Sequence, residues 1–177
     1  SRLNSLVKSL PGSLGIKEFA VSHTVSGASG DNLYNFCYAR TIGAGYRGGF
    51  NSNGGVDEHF IPFYGIKLIA GRNFLADFPA DKNAIILSRL ALERLGMKSP
   101  DEAIRKLVEV NNNSLFSGGD WKHAEIIGVI EDYEQTSFLE TGNGNVGIML
   151  TYKNVLLSNQ IPKKIALRID HLLFPET

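Results

Sequence analysis

The feature that most constrains the fold is a stretch at residues 56–74 that changes backbone conformation several times. It reads VDEHFIPFYGIKLIAGRNF. Asp57 is a candidate N-cap for a short amphipathic helix through Tyr64, and Gly65 supplies the left-handed residue on which the chain leaves that helix. The apolar run at residues 66–70 then predicts a strand. A helix followed so closely by a strand favours a compact domain that mixes the two.

Periodicity and capping residues predict the other elements. Predicted strands are residues 17–22, 34–39, 66–70, 84–87, 126–130, 148–152 and 165–169. Predicted helices are residues 3–10, 57–64, one capped by Ser88, and one that begins at Ser99 and runs to about Leu107. In the last strand we expect Ile165, Leu167 and Ile169 to point inward. The sum is an α+β fold over residues 1–177, a mixed sheet with βαβ-type units and helices packed on it, in one domain with two subdomains.

Composition excludes several classes of protein. The 177 residues carry 18 basic and 18 acidic side chains, so no net field recruits nucleic acid, and an apolar share of 43% fits a folded domain. No apolar run approaches the roughly 18–20 residues of a spanning helix. A single cysteine, Cys37, leaves no internal disulfide and no Cys-based zinc site; we expect it to be a small structural residue.

Two glycine patterns match the spelling of a dinucleotide-binding fingerprint. They are Gly43-x-Gly45-x-x-Gly48 and Gly142-x-Gly144-x-x-Gly147. A functional fingerprint leaves a strand and opens a helix, whereas these patterns lead into glycine, asparagine and β-like sequence. We therefore interpret both as flexible loops, and residues 43–55 as a mobile loop or a loosely paired hairpin.

Acids and histidines provide no convergent catalytic set. Glu131, Asp132 and Glu134 follow a predicted buried strand, where a solvated strand end explains them without chemistry. Asp57-Glu58-His59 fits a charged first helical turn better than a metal site. His23, His59, His123 and His171 lack metal-ligand spacing, and we expect them at the surface. The sequence therefore predicts no catalytic, cofactor-binding or metal-ligating residue.

The order and spacing of these segments resemble a known family. Residues 56–74, the strand and helix from Asn83, and Glu125-Ile-Ile-Gly-Val-Ile-Glu-Asp-Tyr133 are similar to the MacB-like periplasmic core domain of FtsX-type ABC transporter permeases. In this resemblance, residues 3–10 correspond to the end of a first membrane helix that continues upstream. Residues 14–22 correspond to the first strand, and 164–169 to the strand before the return to the membrane. Arg105 departs from the family pattern, which commonly has glycine there.

The resemblance implies a non-enzymatic periplasmic domain of an inner-membrane protein, with no cofactor. The implied partners are a cytoplasmic ATPase subunit, a second permease copy, a periplasmic or outer-membrane protein, and the membrane through flanking helices. A free-standing periplasmic binding or adaptor module is the alternative. A small α/β hydrolase would require a convergent nucleophile and base, which the sequence does not offer.

Because the sequence contains no G-x-x-x-x-G-K-[S/T] phosphate loop, we expect the chain not to bind ATP. Titration calorimetry with Mg-ATP should give only heats of dilution. Magnesium-dependent binding in the micromolar range would contradict this expectation.

Overall fold

The computed structural model describes residues 9, 15–22, 35–43, 48–52, 55–76, 78–111, 121–133, 147–152 and 164–169. Its strands are β1 (Ile16–Ser22), β2 (Asn35–Thr41), β3 (Gly48–Ser52), β4 (Leu68–Gly71), β5 (Ala84–Ser88), β6 (Leu107–Asn111), β7 (Lys122–Ile130), β8 (Ile148–Thr151) and β9 (Lys164–Ile169). The helices are α1 (Phe60–Phe63), α2 (Arg89–Arg94) and α3 (Pro100–Ala103), with a 3₁₀ helix at Pro79–Asn83. The predicted α+β class is confirmed, with strands dominating. Of the predicted opening helix, only Ser9 lies within the described residues.

Seven strands form one mixed sheet in the order β4-β7-β5-β8-β3-β2-β6. The first half of β7 also pairs with β6, which closes six strands into a ring, while β4 pairs with the second half of β7. β5 runs parallel to β7 and reaches it through α2, α3 and β6, which is a βαβ-type crossover. We call this sheet, with its helices, the barrel. β1 and β9 pair only with each other in the described residues, and we call them the ribbon.

Alternating side chains along the central strands divide the core in two. In β5, Ile85 and Leu87 belong to a core with residues from all six ring strands and α2, whereas Ala84 and Ile86 belong to a second core. The first core therefore fills the ring. The second lies outside it and is covered by Val56, α1 and Phe74. Cys37 lies fully buried in the inner core, as expected for a structural residue.

Two predicted helix starts are confirmed by their capping hydrogen bonds. Ser88 Oγ accepts from Ala91 N at 3.4 Å, and it also accepts from Ile148 N at 3.0 Å, so one hydroxyl joins α2 to β8. Ser99 Oγ accepts from Glu102 N at 3.2 Å. The Glu102 side chain does not close a capping box but pairs with Lys106 at 2.6 Å.

The helix that begins after Ser99 ends at Ala103, so the prediction that it runs to about Leu107 is wrong. Arg105 has φ +68°, the one positive φ of a non-glycine residue among those described. Its N–H donates to Ile126 O at 2.8 Å, and Ile126 N donates to Lys106 O at 3.0 Å. Pairing with β7 therefore replaces the helix. The left-handed backbone explains why glycine would suit the position of Arg105.

For the glycine-rich segment at residues 43–55 the sequence predicts either a mobile loop or a loosely paired hairpin. The structure shows a hairpin, whose second strand, β3, lies in this segment. β3 pairs antiparallel with β2, and its last two residues pair parallel with β8. Mobility of the rest of this segment stays a prediction. Residues 141–146 lie outside the described ranges. Residues 112–120 also lie outside them, but β6 and β7, which they connect, pair antiparallel as a hairpin does.

The predicted sidedness of the last strand is wrong. Leu167 is 42% exposed and Ile169 46% exposed, and Ile165 is half-buried. The alternation assumed a strand packed on a core, but among the described residues β9 pairs only with β1, in a sheet separate from the barrel. A two-stranded sheet has no second layer of its own to cover an apolar face.

The Gly71-Arg72-Asn73-Phe74 segment turns the chain from β4 across β7. Gly71 has φ +71°, and Arg72 N donates to Ile127 O at 2.9 Å. Arg72 Nη1 and Nη2 donate to the two carboxylate oxygens of Asp81 at 2.9 and 2.7 Å, and Leu75 N donates to the same carboxylate at 2.8 Å. The guanidinium of Arg72 thus has a structural role, because its planar fork holds both oxygens of one carboxylate. Phe74 is then buried in the outer core.

Replacing Arg72 by Ala should lower the free energy of unfolding by about 2–3 kcal/mol, because Asp81 is fully buried and would lose its charged partner. Urea denaturation gives the difference. Arg89→Ala is the matched control, since Arg89 pairs with Glu131 at 3.6 Å on the surface, and exposed pairs contribute less than about 1 kcal/mol. Equal midpoints for the two variants would make Arg72 an ordinary surface residue.

Gly71→Ala should destabilise the chain far more than Gly96→Ala. Both glycines have positive φ, so each alanine carries a backbone strain of about 1–2 kcal/mol. A Cβ at Gly96 meets no atom within 4 Å, whereas one at Gly71 overlaps the Ile127 carbonyl oxygen and comes within 3.0 Å of Gly128 Cα. Thermal denaturation of both variants measures the difference. Similar melting temperatures would mean that the β4–β7 crossing adapts to the methyl group.

Candidate functional site

The ribbon meets the barrel at residues 55–64, a segment that we call the joint. Val56 N donates to Thr151 O of β8 at 2.9 Å, and Asp57 N donates to Val21 O of β1 at 3.0 Å. Val56 also forms isolated bridges with Ser22 on the ribbon and with Tyr152 after β8. Two consecutive residues therefore connect the ribbon and the barrel through their backbones.

Asp57 does not cap the helix, and this prediction is wrong. α1 begins at Phe60 with His59 at the N-cap position and no side-chain capping bond. Val56 and Asp57 are extended and pair through their backbones with both sheets, and the helical backbone begins only after them. Asp57 is buried instead of solvated.

The Asp57 carboxyl group lies in a poor environment for a charge. Burial raises its pKa to about 6, and backbone hydrogen bonds from Val21 and His59 and the field of His59 oppose this only in part. Its Oδ1 atom is buried without a hydrogen-bond partner in the part of the chain that is described. While the ribbon covers it, the carboxyl group therefore keeps its proton up to about pH 6, well above the range of an exposed aspartate.

Glu58 and His59 make contacts within the barrel and with the ribbon. Tyr152 Oη donates to Glu58 Oε2 at 3.0 Å, and Asn73 Nδ2 donates to Glu58 O at 2.8 Å. The His59 ring lies 4.7 Å from the ring of Phe19 on β1. No group of three potential metal ligands occurs among the described residues.

A second set of contacts holds the ribbon against α1. Arg168 of β9 donates from Nη2 to Phe63 O at 3.0 Å and lies 5.2 Å from the centre of the Phe63 ring. The same guanidinium pairs with Glu18 of β1. Between β1 and α1 runs an open groove of about 430 Å³, and its lining residues are Ile16, Lys17, Glu18, Phe19, His59, Pro62 and Phe63.

The remaining sequence patterns have structural roles where they are described. Each glycine pattern runs into a strand, β3 after the first and β8 after the second, so neither opens a helix as a dinucleotide site requires. Glu131 pairs with Lys67 at 3.2 Å, and Asp132 Oδ1 accepts from Leu90 N at 3.0 Å. Glu134 lies outside the described ranges.

Two of the four histidines, His59 and His123, lie within the described ranges. The side chains of His59 and His123 are 48% and 66% exposed, and each has a glutamate 3.8 Å away. This agrees with the predicted surface positions. His23 and His171 fall outside the described ranges.

None of the described helices is both long and apolar enough to cross a membrane. No protein-family model matches the chain, and no curated protein matches its sequence. Similarity is found among solved structures. The periplasmic region of MacB from Actinobacillus actinomycetemcomitans has a TM-score of 0.55 at 14% identity, and the match covers 94% of this chain and 64% of that one.

A domain of a putative permease protein from Porphyromonas gingivalis has a TM-score of 0.50 at 13% identity, over 94% of this chain and 66% of that domain. The chain thus spans about two thirds of the length of each structure. Identities this low establish the fold alone, and nearly the whole chain takes part in both matches. The chain has the MacB-like periplasmic-domain fold that its order of segments resembles.

Proposed function

We propose that the chain is the periplasmic domain of an ABC transporter permease in an inner membrane. In this proposal it is not catalytic: it transmits motion driven by ATP hydrolysis and contacts cargo or a periplasmic partner. The ribbon is the observation that best supports the proposal, because it belongs to a fold that is shared with the periplasmic region of MacB. The structural partners of Glu131 and Asp132 support the non-catalytic part.

The ribbon offers one entry point for mechanical input. Because β1 and β9 are antiparallel and Ile16 pairs with Ile169, the chain enters β1 and leaves β9 at the same end of the ribbon. Membrane helices attached on both sides would therefore move one structural unit. A helix rises about 1.5 Å per residue and acts as a stiff rod over several turns. The joint then converts ribbon displacement into a change at the barrel surface.

The proposed partners follow from the resemblance to FtsX-type ABC transporter permeases. They are a cytoplasmic ATPase subunit acting through the whole permease, a second permease copy, and a periplasmic or outer-membrane protein. Contact surfaces on the barrel are available: Ile42 and Leu107 are 51% and 55% exposed beside a groove of about 460 Å³, and Leu75 and Phe78 are exposed on the turn that Asp81 fixes. Balanced charge supports no role in nucleic-acid binding.

A reversible disulfide across the joint tests the proposal in the whole transporter. Ser22 and Val56 are antiparallel bridge partners, one on the ribbon and one on the joint. Such partners have Cα atoms about 4.5–5.5 Å apart, which suits a disulfide. We expect the Ser22→Cys, Val56→Cys pair to stop transport when oxidised, with ATPase activity still measurable, and to restore transport when reduced.

The matched control is Ala20→Cys with Ala166→Cys, which joins β1 to β9 within the ribbon and leaves the joint free. Oxidation of this pair should leave transport near its starting rate. The native Cys37 is buried and does not compete for either disulfide. Full transport by the oxidised Ser22–Val56 pair would show that the ribbon does not move against the joint during the cycle.

A further inference from the structure

We propose that Asp57 is a proton-dependent latch: with its carboxyl group neutral the ribbon stays docked on the joint, and loss of the proton favours release of the ribbon. This goes beyond the proposed function, because it adds a regulating group to the joint. Only its physiological meaning depends on that function. The latch is a property of the chain alone.

Asp57 contacts the ribbon with both its backbone and its side chain. Its N–H donates to Val21 O at 3.0 Å, and its carboxyl group accepts a hydrogen bond from the Val21 backbone. Val21 is itself paired with Ile165 of β9, so this contact reaches both strands of the ribbon. The carboxyl group thus lies against β1, and Asp57 as a residue is 3% exposed. Releasing the ribbon would therefore let water reach Asp57.

The docked environment favours the neutral carboxyl group. Oδ1 has no partner among the described residues, and an unpartnered buried oxygen is far more costly when the group is charged. The hydrogen bonds from Val21 and His59 favour the charged form, but burial outweighs them and sets the pKa at about 6. Once the ribbon is released, the pKa of the Asp57 carboxyl group would return toward its ordinary value of 3.8.

The charged side chains around Asp57 do not offset the cost of burying its carboxylate charge. His59 lowers the pKa of Asp57 and Glu58 raises it, and both are on the same segment. On the ribbon, Arg168 pairs with Glu18. Behind the joint, Arg72 is bound to Asp81 through both carboxylate oxygens, and Tyr152 donates to Glu58.

The sign of the pH effect follows from the raised pKa. Because the docked state holds the proton more tightly, docking is strongest below about pH 4 and weakens as the pH rises through about 6. Above about pH 6, docking of the ribbon stays weak. The full change in the docking equilibrium is on the order of 100-fold, the proton-binding ratio that such a difference in pKa allows.

Hydrogen exchange of the 177-residue chain between pH 4 and pH 8, corrected for intrinsic rates, tests the latch. We expect amides of β1 and β9 to lose protection by tens of fold as the pH rises, while amides of β7 inside the barrel keep theirs. Asp57→Asn, which imitates the neutral carboxyl group, should keep the ribbon protected at every pH. Glu58→Gln removes the neighbouring charge and should follow the wild-type profile, with its midpoint moved slightly toward acid.

Three results would overturn the latch. They are ribbon protection that does not depend on pH in the wild type, an Asp57→Asn variant that keeps the wild-type pH dependence, and parallel loss of protection in ribbon and barrel. Should Asp57→Asn fail to fold, NMR titration of the wild-type Asp57 carboxyl carbon decides: a midpoint near 6 supports the latch, and one near 4 rejects it. Neither measurement involves transport, so failure of the latch is distinct from failure of the proposed function.

Discussion

The ribbon depends on the joint, because two strands alone bury too little apolar surface to be stable in water. Val56 and Asp57 supply backbone partners to both sheets, and Arg168 and Phe19 add side-chain contacts with α1 and His59. These contacts are few compared with the strand pairing and two-sided burial that hold the barrel together. The joint is therefore the weakest connection in the described structure. The ribbon could move against the barrel there without disturbing either core.

The joint in turn rests on the segment that follows β4. Asn73 donates to Glu58 O at 2.8 Å, while its Oδ1 accepts from Phe74 N at 2.8 Å. Arg72 and Asp81 fix the same turn from the other side. The joint is thus held by a turn that is itself hydrogen-bonded on both sides. Buried Phe74, whose ring centre is 5.3 Å from that of Tyr152, extends this support into the outer core.

Sequence reasoning succeeded where a local signal decides the structure. Ser88 and Ser99 cap helices because a hydroxyl oxygen and a nearby N–H suffice, and the apolar runs of β5 and β7 become strands buried on both faces. It failed where pairing between residues that are far apart in sequence decides the structure. Asp57 has the signature of a cap, but its backbone partner Val21 lies far away in sequence, as does Thr151, the partner of neighbouring Val56, and no local pattern predicts either pairing.

The same limit explains the other two errors. Strand pairing with β7 ends α3 at Ala103 in spite of a helix-compatible sequence. In the described part of the chain, β9 pairs with β1 and not with the packed sheet that its alternation implied. The sequence predicts no catalytic, cofactor-binding or metal-ligating residue. The candidate site is therefore visible only in the geometry of the two sheets. Burial of one carboxyl group at their contact could not be read from composition.

The pairing of β1 with β9 also affects the order of folding. Glu18 and Arg168 are 150 positions apart, so the ribbon closes one of the longest loops that the chain can make. Barrel hairpins such as β2–β3 and β6–β7 pair over much shorter separations and can form first. During synthesis the ribbon cannot form until β9 has left the ribosome. The contact between Asp57 and Val21 therefore gains its second strand, through the pairing of Val21 with Ile165, only after β9 has been made.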